Sequence, residues 1–489
     1  MRIFADEMKY NTFTLFNGLR IIHLPSTAPV VYCGYQINAG SRNEDAGEEG
    51  LAHFCEHTTF KGTQRRHALD ILNCLESVGG DLNAFTNKED TTYYAAILKD
   101  HMPRAVDLLT DIVFHSTYPQ QEIDKEVEVI CDEIESYNDS PAELIYDEFE
   151  NLVFRGHPLG HNILGTADRV RSYVTADALR FTRRYYRPDN AVFFAYGDVD
   201  FYRLVRLLDK ATKDLNTRKG ADQDRLLLSS ASSSSDTSTA PSEQLRQKEE
   251  EVKSGASNLL HQKDKKAENA LEGKLRQKDE LLSGSTYIID KQMHQAHVMV
   301  GHRAYDVHDN RRIALYLLNN IIGGPGMNAK LNLALRERNG LVYTVESTMV
   351  SYGDTGIWSV YFGCDEHDIK RCLRLTRGVV EKFINQPLTE RQLHAAKKQI
   401  KGQIGVACDN RENFALDFGK SFLHYGWEKD VTALYEKVDA VTAEQIQQAA
   451  ADIIAPERWT TLIYKIAPFP DPPQGEGMAK PVEDETWRF

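Results

Sequence analysis

The chain has 489 residues, 41% of them hydrophobic and 27% charged, so it can bury the cores of two or three soluble domains. Its 58 lysine and arginine residues against 72 aspartate and glutamate residues give a formal net charge of −14. That balance argues against a nucleic-acid-binding protein, because phosphate binding needs a basic surface. No segment has the roughly 20 consecutive apolar residues of a membrane span, so we expect no membrane partner.

The cysteines and the N-terminus indicate a reducing compartment. The seven cysteines are scattered without a Cys-x-x-Cys pair, which argues against a disulfide framework and against a thiolate zinc knuckle. Residues 1–7 contain no apolar segment before the first acidic residues, so we expect no secretory signal. The sequence therefore predicts a cytoplasmic protein.

The first strand-like run, residues 30–37, is followed by a predicted helix over residues 48–60. This helix contains the motif His-Phe-Cys-Glu-His. Residues four apart lie on one face of a helix, so His53 and His57 can bind one metal ion at about 2.0–2.1 Å each. Glu56 lies beside them, where a general base can take a proton from a water on that metal. The alternative is a surface helix with two solvated histidines.

A second predicted helix, residues 122–135, offers carboxylates for a third ligand position. Its apolar residues recur at helical spacing and form a buried stripe, which consists of Ile123, Val127, Ile130 and Ile134. Glu126 and Glu133 flank this stripe, so either of them can reach a metal on a neighbouring buried helix while the other holds a ligand histidine. The alternative, a solvated acidic face, explains only the residues on the outer half of the helix, which are Glu128, Asp132 and Glu135.

The composition divides the chain into two blocks of similar length. Residues 217–285 are polar and include a serine-rich run, so we expect a low-complexity linker between residues 1–216 and residues 286–489. A partner-binding arm or a short coiled coil is the alternative for this segment. Each block opens with a strand-like run, continues with helical patterns and then reaches further strand-like runs. The sequence therefore predicts an α+β fold with two homologous domains, each a mostly antiparallel sheet packed with helices.

The metal motif and its surroundings resemble a known family. With the preceding Gly-Leu-Ala (residues 50–52) and the following Phe-Lys-Gly-Thr (residues 60–63), the motif resembles the pitrilysin-type (inverzincin, HxxEH) zinc metallopeptidases. The likeness is to the shorter two-domain bacterial members that are akin to mitochondrial processing peptidase. It implies that Glu133 is the third zinc ligand beside the two histidines, and that Glu126 is the acid that holds a ligand histidine.

A segment after the motif also takes part in the resemblance. Residues 79–86 resemble the family's edge strand, whose backbone pairs with an extended substrate peptide. The resemblance implies that Asn83, Ala84 and Phe85 bind substrate. The alternative for this segment is an ordinary hairpin after a glycine turn.

The second block contributes to the resemblance as well. Arg336 and Tyr343 resemble the family's pair that reaches from the second domain toward the scissile carbonyl and stabilises the oxyanion. The glycine-rich residues 323–327 resemble the family's loop before that pair, although a helix end followed by a turn explains them equally well. Residues 286–489 lack a His-x-x-Glu-His motif, so we expect a catalytically silent domain that contributes substrate-binding residues, while residues 1–216 form the catalytic zinc-binding domain.

The resemblance implies a zinc-dependent endopeptidase that cleaves short or unfolded peptides held as an added edge strand, with a metal-activated water and Glu56 as general base. It implies Zn²⁺ as the cofactor, although the ligand set also accepts manganese and cobalt. It further implies two domains that close like a clamshell, and a homodimer. Two alternatives stay open: a catalytically silent peptide-binding or scaffold subunit of the same fold, and a zinc hydrolase with a non-peptide substrate.

Overall fold

The computed structural model describes residues 9–215, called the N-terminal part below, and residues 285–466, called the C-terminal part. The strands of the N-terminal part are β1 (Asn11–Thr14), β2 (Arg20–Pro25), β3 (Val30–Ile37), β4 (Asp81–Thr86), β5 (Thr91–Leu98) and β6 (Ala191–Gly197). Its helices are α1 (Leu51–Thr59), α2 (Ala68–Glu76), α3 (Met102–His115), α4 (Gln120–Asn138), α5 (Pro141–Val153), α6 (Ala167–Val170), α7 (Thr175–Tyr185) and α8 (Phe201–Ala211).

The C-terminal part repeats this mixture of strands and helices. Its strands are β7 (Thr286–Lys291), β8 (Ala296–Ala304), β9 (Val342–Ser351), β10 (Gly356–Cys364) and β11 (Thr460–Ile466). Its helices are α9 (Arg312–Gly323), α10 (Ile369–Asn385), α11 (Glu390–Ala407), α12 (Arg411–Tyr425), α13 (Val431–Ala440) and α14 (Ala443–Ile453). A π-helical segment, Asn332–Glu337, lies between α9 and β9.

Each part contains one sheet, and the two sheets share their strand arrangement. The N-terminal sheet has the order β1-β2-β6-β3-β5-β4, and the C-terminal sheet has the order β7-β11-β8-β10-β9. Neighbouring strands are antiparallel except for one parallel pair in each sheet, β2 with β6 and β7 with β11. Apart from β1, the strands of both parts follow the same order across the sheet. The predicted α+β class, with two mostly antiparallel sheets packed with helices, is confirmed.

The N-terminal sheet uses its two faces differently, because side chains along a strand alternate between the faces. In β6, Phe193 points into the core that the sheet forms with the N-terminal helices. Its neighbours Val192 and Phe194 belong instead to the buried cluster that includes Phe414 and Phe418 of α12. The ring centroids of Phe194 and Phe418 are 6.3 Å apart. A helix of the C-terminal part therefore covers one face of the N-terminal sheet.

The exchange of helices is reciprocal. Ile145 and Phe149 of α5 lie in one buried cluster with Met299, Tyr361 and Leu462 of the C-terminal sheet. Each phenylalanine or leucine that is fully buried stabilises the fold by about 1.5–3 kcal/mol. The two parts are therefore held together by two exchanged helices, each packed on the sheet of the other part.

The predicted linker, residues 217–285, lies outside the described residues except for Ser285. The boundaries of the two predicted domains stay predictions for the same reason. In the part of the chain that the structure describes, every helix is too short or too polar to cross a bilayer.

The turn between β4 and β5, residues 87–90, connects the two parts through a buried charge. The side chain of Asp90 is fully buried, and its Oδ1 atom lies 2.8 Å from Lys420 Nζ and 3.3 Å from His424 Nε2 on α12. Burial alone would raise the pKa of Asp90, but the hydrogen bond from His424 and the charge of Lys420 lower it well below its usual range. The ionised carboxylate thus holds α12 against the N-terminal sheet.

We expect Asp90→Asn to destabilise the protein by about 2–3 kcal/mol at pH 7, because Lys420 and His424 lose their buried counter-charge. Urea denaturation measures this change. The stabilisation is present above the pKa of an unfolded aspartate, about 3.9, and is lost as the pH falls through the lowered folded value. The difference between the wild type and the variant should therefore shrink below about pH 4.

The control is Asp439→Asn, because Asp439 pairs with Lys401 at the surface. Exposed ion pairs contribute less than about 1 kcal/mol, so this variant should stay close to the wild type. An equal loss of stability in Asp90→Asn and Asp439→Asn would contradict the role given to the buried charge.

Candidate metal centre

Two features outside α1 fix the start of this helix. Gly50 precedes it with a φ of 87°, and a Cβ atom there would lie 2.6 Å from the carbonyl oxygen of Leu164. Only glycine fits this contact. The fully buried carboxylate of Glu44 accepts hydrogen bonds of 3.0 and 2.8 Å from the N–H groups of Gly50 and Ala52. N–H groups at a helix start lack partners within the helix, so the carboxylate stabilises α1 in this position.

Helices α1 and α4 bring the three predicted metal ligands together. The Nε2 atoms of His53 and His57 lie 3.8 and 3.2 Å from the same carboxylate oxygen, Oε2 of Glu133. The ligand atoms of all three residues lie within 4.8 Å of one another. Donors about 2.0–2.1 Å from a tetrahedral ion are about 3.3 Å apart, so these side chains can close on one ion with small movements. Two imidazole nitrogens and one carboxylate oxygen are a donor set that zinc accepts.

Glu126 holds His57 through the other nitrogen of its ring. The Nδ1 atom of His57 donates a 3.0 Å hydrogen bond to Oε1 of Glu126, whose Oε2 lies 2.5 Å from Lys61 Nζ. Since Nδ1 carries the proton of this hydrogen bond, Nε2 is the ring nitrogen that can give up its proton and bind a metal ion. On the same helix as Glu126, the acidic residues predicted to face outward are exposed, and these are Glu128, Asp132 and Glu135. Glu133 is also exposed, so its contacts with the two histidines, and not its burial, distinguish it from them.

The two histidines differ in the state that their surroundings favour. Burial and the neighbouring His57 lower the pKa of His53 to about 4, so its imidazole is neutral at pH 7. Burial acts in the same direction on His57, but the hydrogen bonds to Glu126 and Glu133 raise its pKa to about 9. The two carboxylates thus attract a positive charge to this position, and a metal ion would take the place of a proton. The charges around the centre therefore fit a bound cation.

Glu56 lies on α1 next to His57 and is buried. Its Oε2 atom accepts a 2.6 Å hydrogen bond from the hydroxyl of Thr86, the last residue of β4. Burial raises the pKa of Glu56, and the hydrogen bond from Thr86 opposes this change in part. A carboxylate with a raised pKa suits a group that takes up and releases a proton near neutral pH.

Asn83, Ala84 and Phe85 lie on β4, an edge strand of the N-terminal sheet. β4 pairs with β5 in antiparallel register, with Asn83 opposite Tyr94. Within residues 9–215 and 285–466, no strand pairs with the other side of β4. The two strands also form the hairpin that the alternative interpretation predicts, so the pairing alone does not decide the role of the segment. The position of the edge is more telling, because Thr86 at its end contacts Glu56.

Arg336 and Tyr343 line a separate cavity of about 780 Å³ in the C-terminal part. The glycine-rich residues 323–327 line the same cavity. Tyr343, at the start of β9, is 89% exposed. Among the described residues, neither Arg336 nor Tyr343 forms a hydrogen bond or ion pair with a metal-binding residue. The structure thus brings the pair together but not into contact with the metal centre, and its catalytic role stays a prediction.

Sequence reasoning missed two residues at the centre. Lys61 contacts Glu126, and Thr86 contacts Glu56. Both belong to segments that the family resemblance singles out, which is a partial signal. No spacing rule predicts either contact, because each joins residues far apart in the sequence and depends on tertiary packing.

Comparison with known proteins identifies the family. The sequence profile described as Insulinase (Peptidase family M16) matches residues 20–167, and the profile described as Peptidase M16 inactive domain matches residues 173–400. An uncharacterized zinc protease of Streptomyces coelicolor is 31% identical over 444 residues, which cover 90% of this chain and 86% of that protein. The chain belongs to peptidase family M16.

Other relatives of this M16 chain agree. The uncharacterized zinc protease YmxG of Bacillus subtilis is 29% identical over 453 residues, which cover 92% of this chain and 97% of YmxG. The predicted relationship to pitrilysin-type (M16) two-domain bacterial proteins is therefore confirmed.

Solved structures share the fold. A protease from Helicobacter pylori has a TM-score of 0.75 at 19% identity and covers 94% of this chain and 100% of its own. The peptidase M16 inactive domain from Pseudomonas fluorescens has a TM-score of 0.75 at 16% identity, with 94% of this chain and 99% of that chain covered. At such low identity, these matches establish the fold of the M16 chain and nothing about its activity.

We expect Glu133→Gln to lose its bound metal, because the change removes one of three ligands. Glu126→Gln should still bind metal, about 10–100-fold more weakly, because an amide holds the His57 ring less firmly than a carboxylate does. Chelator competition with Zn²⁺ measures both affinities. Asp132→Asn, on the exposed side of α4, is the matched control and should bind like the wild type. The assignment is wrong if all three variants lose the same affinity.

Proposed function

We propose that this M16 chain is a zinc-dependent endopeptidase that cleaves short or unfolded peptides. The observation that carries the proposal is the convergence of His53, His57 and Glu133 on one point, with the buried carboxylate of Glu56 beside them. The printed names of the relatives from Streptomyces coelicolor and Bacillus subtilis, both zinc proteases, support the same class of enzyme.

His53, His57 and Glu133 would hold the ion, and Glu126 would keep the His57 ring in place. When bound, zinc supplies a Lewis acid that lowers the pKa of water to about 7 and polarises a peptide carbonyl. The lowered pKa of His53 supports this role, because a neutral imidazole needs no proton to be displaced before it binds a metal. Manganese and cobalt fit the same donors, and the relatives' names favour zinc.

Glu56 acts as the general base in this proposal. It accepts a proton from the water that attacks the peptide carbonyl and then donates that proton to the leaving amine nitrogen. Both steps need a carboxylate that is easily protonated, and the burial of Glu56 raises its pKa in that direction. Its place on α1, one residue before His57, supports this role.

The edge of β4 binds the substrate in this proposal. A peptide that adds to a sheet edge must be extended, and its backbone supplies the hydrogen bonds whatever its sequence. This requirement favours short or unfolded chains over folded proteins. Asn83, Ala84 and Phe85 offer such an edge, and the strand ends at Thr86 beside Glu56.

Arg336 and Tyr343 stabilise the oxyanion from the C-terminal part in this proposal. A guanidinium and a phenol both donate hydrogen bonds, and such donors are effective where negative charge develops on the carbonyl oxygen. Both residues line one cavity next to the glycine-rich residues 323–327, which supports a shared task. The role requires the two parts to close around the peptide.

We expect Glu56→Gln to bind zinc like the wild type but to cleave peptides about 10²–10⁴-fold more slowly, because the amide cannot accept the proton. A fluorogenic peptide assay together with metal analysis measures both properties. Glu128→Gln on the exposed side of α4 is the control and should leave both unchanged.

Three outcomes would contradict the proposal. Full activity in Glu56→Gln would show that Glu56 is not the general base. A zinc-loaded wild type that binds peptides without cleaving them would be a scaffold or peptide-binding subunit. Hydrolysis of simple esters without cleavage of any peptide would indicate a non-peptide substrate.

A depsipeptide substrate tests the edge strand. Replacing one substrate amide outside the scissile bond with an ester removes a single main-chain N–H donor. If the peptide pairs with β4, the ester at a pairing position should raise KM about 5–10-fold, which corresponds to about 1–1.5 kcal/mol for one hydrogen bond. An ester at the next position, whose N–H points away from the strand, is the control. Equal KM values for both esters would exclude pairing with an edge strand.

A further inference from the structure

We infer that Thr86 is a positioning residue for Glu56, and that its hydroxyl fixes the carboxylate in the orientation needed for proton transfer. The inference rests on the proposed function, because it assigns a role within the same site. It adds a residue that is neither a metal ligand nor one of the three residues proposed to bind the peptide.

The contact uses one oxygen of the Glu56 carboxylate. The Thr86 hydroxyl donates a 2.6 Å hydrogen bond to Oε2, which leaves Oε1 available for a water molecule. In the described part of the chain, no other side chain donates a hydrogen bond to Glu56. The terminal torsion of a glutamate is broad, so a carboxylate takes its orientation from its hydrogen bonds rather than from its rotamer. A single donor therefore determines which oxygen faces the reaction.

The fold holds Thr86 in place independently of Glu56. Thr86 pairs with Thr91 at the end of the β4–β5 hairpin. The turn that follows is closed by Asn87, whose backbone N–H donates to the carbonyl oxygen of Asp90 at 2.8 Å. The side-chain amide of Asn87 donates a second bond of 3.0 Å to the Asp90 carboxylate. The hydroxyl thus belongs to a rigid element, as a group that orients another must.

The same turn is anchored to the C-terminal part. Glu89 accepts a 3.2 Å hydrogen bond from the backbone N–H of Gly353, and Asp90 contacts Lys420 on α12. These contacts cross between the two parts of the chain. The hydroxyl that orients the base is therefore placed by a turn that both parts hold, at the end of the strand that is proposed to bind the peptide.

The test compares variants that keep the hydroxyl of residue 86 with variants that lack it. Thr86→Val keeps the branched shape and the strand preference of threonine but removes the donor. We expect kcat for a fluorogenic peptide to fall about 10–100-fold while KM stays within about threefold, because the base is misplaced and the peptide edge is intact. Thr86→Ser restores the hydroxyl and should return kcat to within about threefold of the wild type.

The matched control is Thr12→Val, because Thr12 is exposed on β1 at the opposite edge of the same sheet. It should leave kcat and KM unchanged. Should Thr86→Val fail to fold, Thr86→Ala takes its place in the comparison with Thr86→Ser. Zinc content and thermal unfolding are recorded for each variant. They distinguish a misoriented Glu56 carboxylate from a destabilised fold.

A structural measurement tests the inference independently of catalysis. Crystal structures should show the Glu56 carboxylate rotated in Thr86→Val and unchanged in Thr86→Ser. The inference is overturned if Glu56 keeps its orientation in Thr86→Val, if that variant retains the wild-type kcat, or if Thr86→Ser loses as much activity as Thr86→Val. In each of these cases, an inactive Glu56→Gln variant would leave the proposed function standing. Full activity in Glu56→Gln would instead remove the proposed function itself.

Discussion

The contact between α1 and α4 places two carboxylates, Glu126 and Glu133, against the ring of His57, and the rest of the site follows from this arrangement of charge. Two carboxylates near one another in a half-buried place repel unless cations lie between them. Lys61 neutralises Glu126, and a proton or a metal ion on the histidine side neutralises Glu133. The arrangement that brings the three ligands together therefore also creates the requirement for a cation. Anchoring of α1 by Gly50 and by a buried carboxylate keeps that geometry fixed.

The parts of this structure that local spacing controls could be predicted from the sequence. A helix with histidines four apart, and a second helix with two acids flanking an apolar stripe, predict α1, α4 and the residues that face each other. The predicted helix over residues 122–135 lies inside the observed Gln120–Asn138. The resemblance to a known family was needed to choose Glu133 over Glu126 as the ligand, because the helical wheel places both residues on the same flank.

The remaining features depend on which elements pack together, and no periodicity encodes that choice. An apolar stripe on α5 predicts a buried face, but it does not say that the face lies on the sheet of the other part. For the same reason, the sequence could not place Lys61 and Thr86 at the site or show how Arg336 and Tyr343 lie relative to the metal ligands. The shared strand order of the two sheets is also invisible in the residues. Helix α9 follows β8 as α1 follows β3, the strand in the corresponding place of its sheet, yet α9 contains no histidine or glutamate.

The exchanged helices also bear on how the chain reaches its folded state during synthesis. The N-terminal sheet is complete when β6 leaves the ribosome, but Val192 and Phe194 on its outer face wait for α12, more than two hundred residues later. Until then, this apolar face of the sheet is exposed to water, and transiently exposed apolar surfaces promote aggregation. Burial of this face of the N-terminal sheet therefore requires translation of nearly the whole polypeptide.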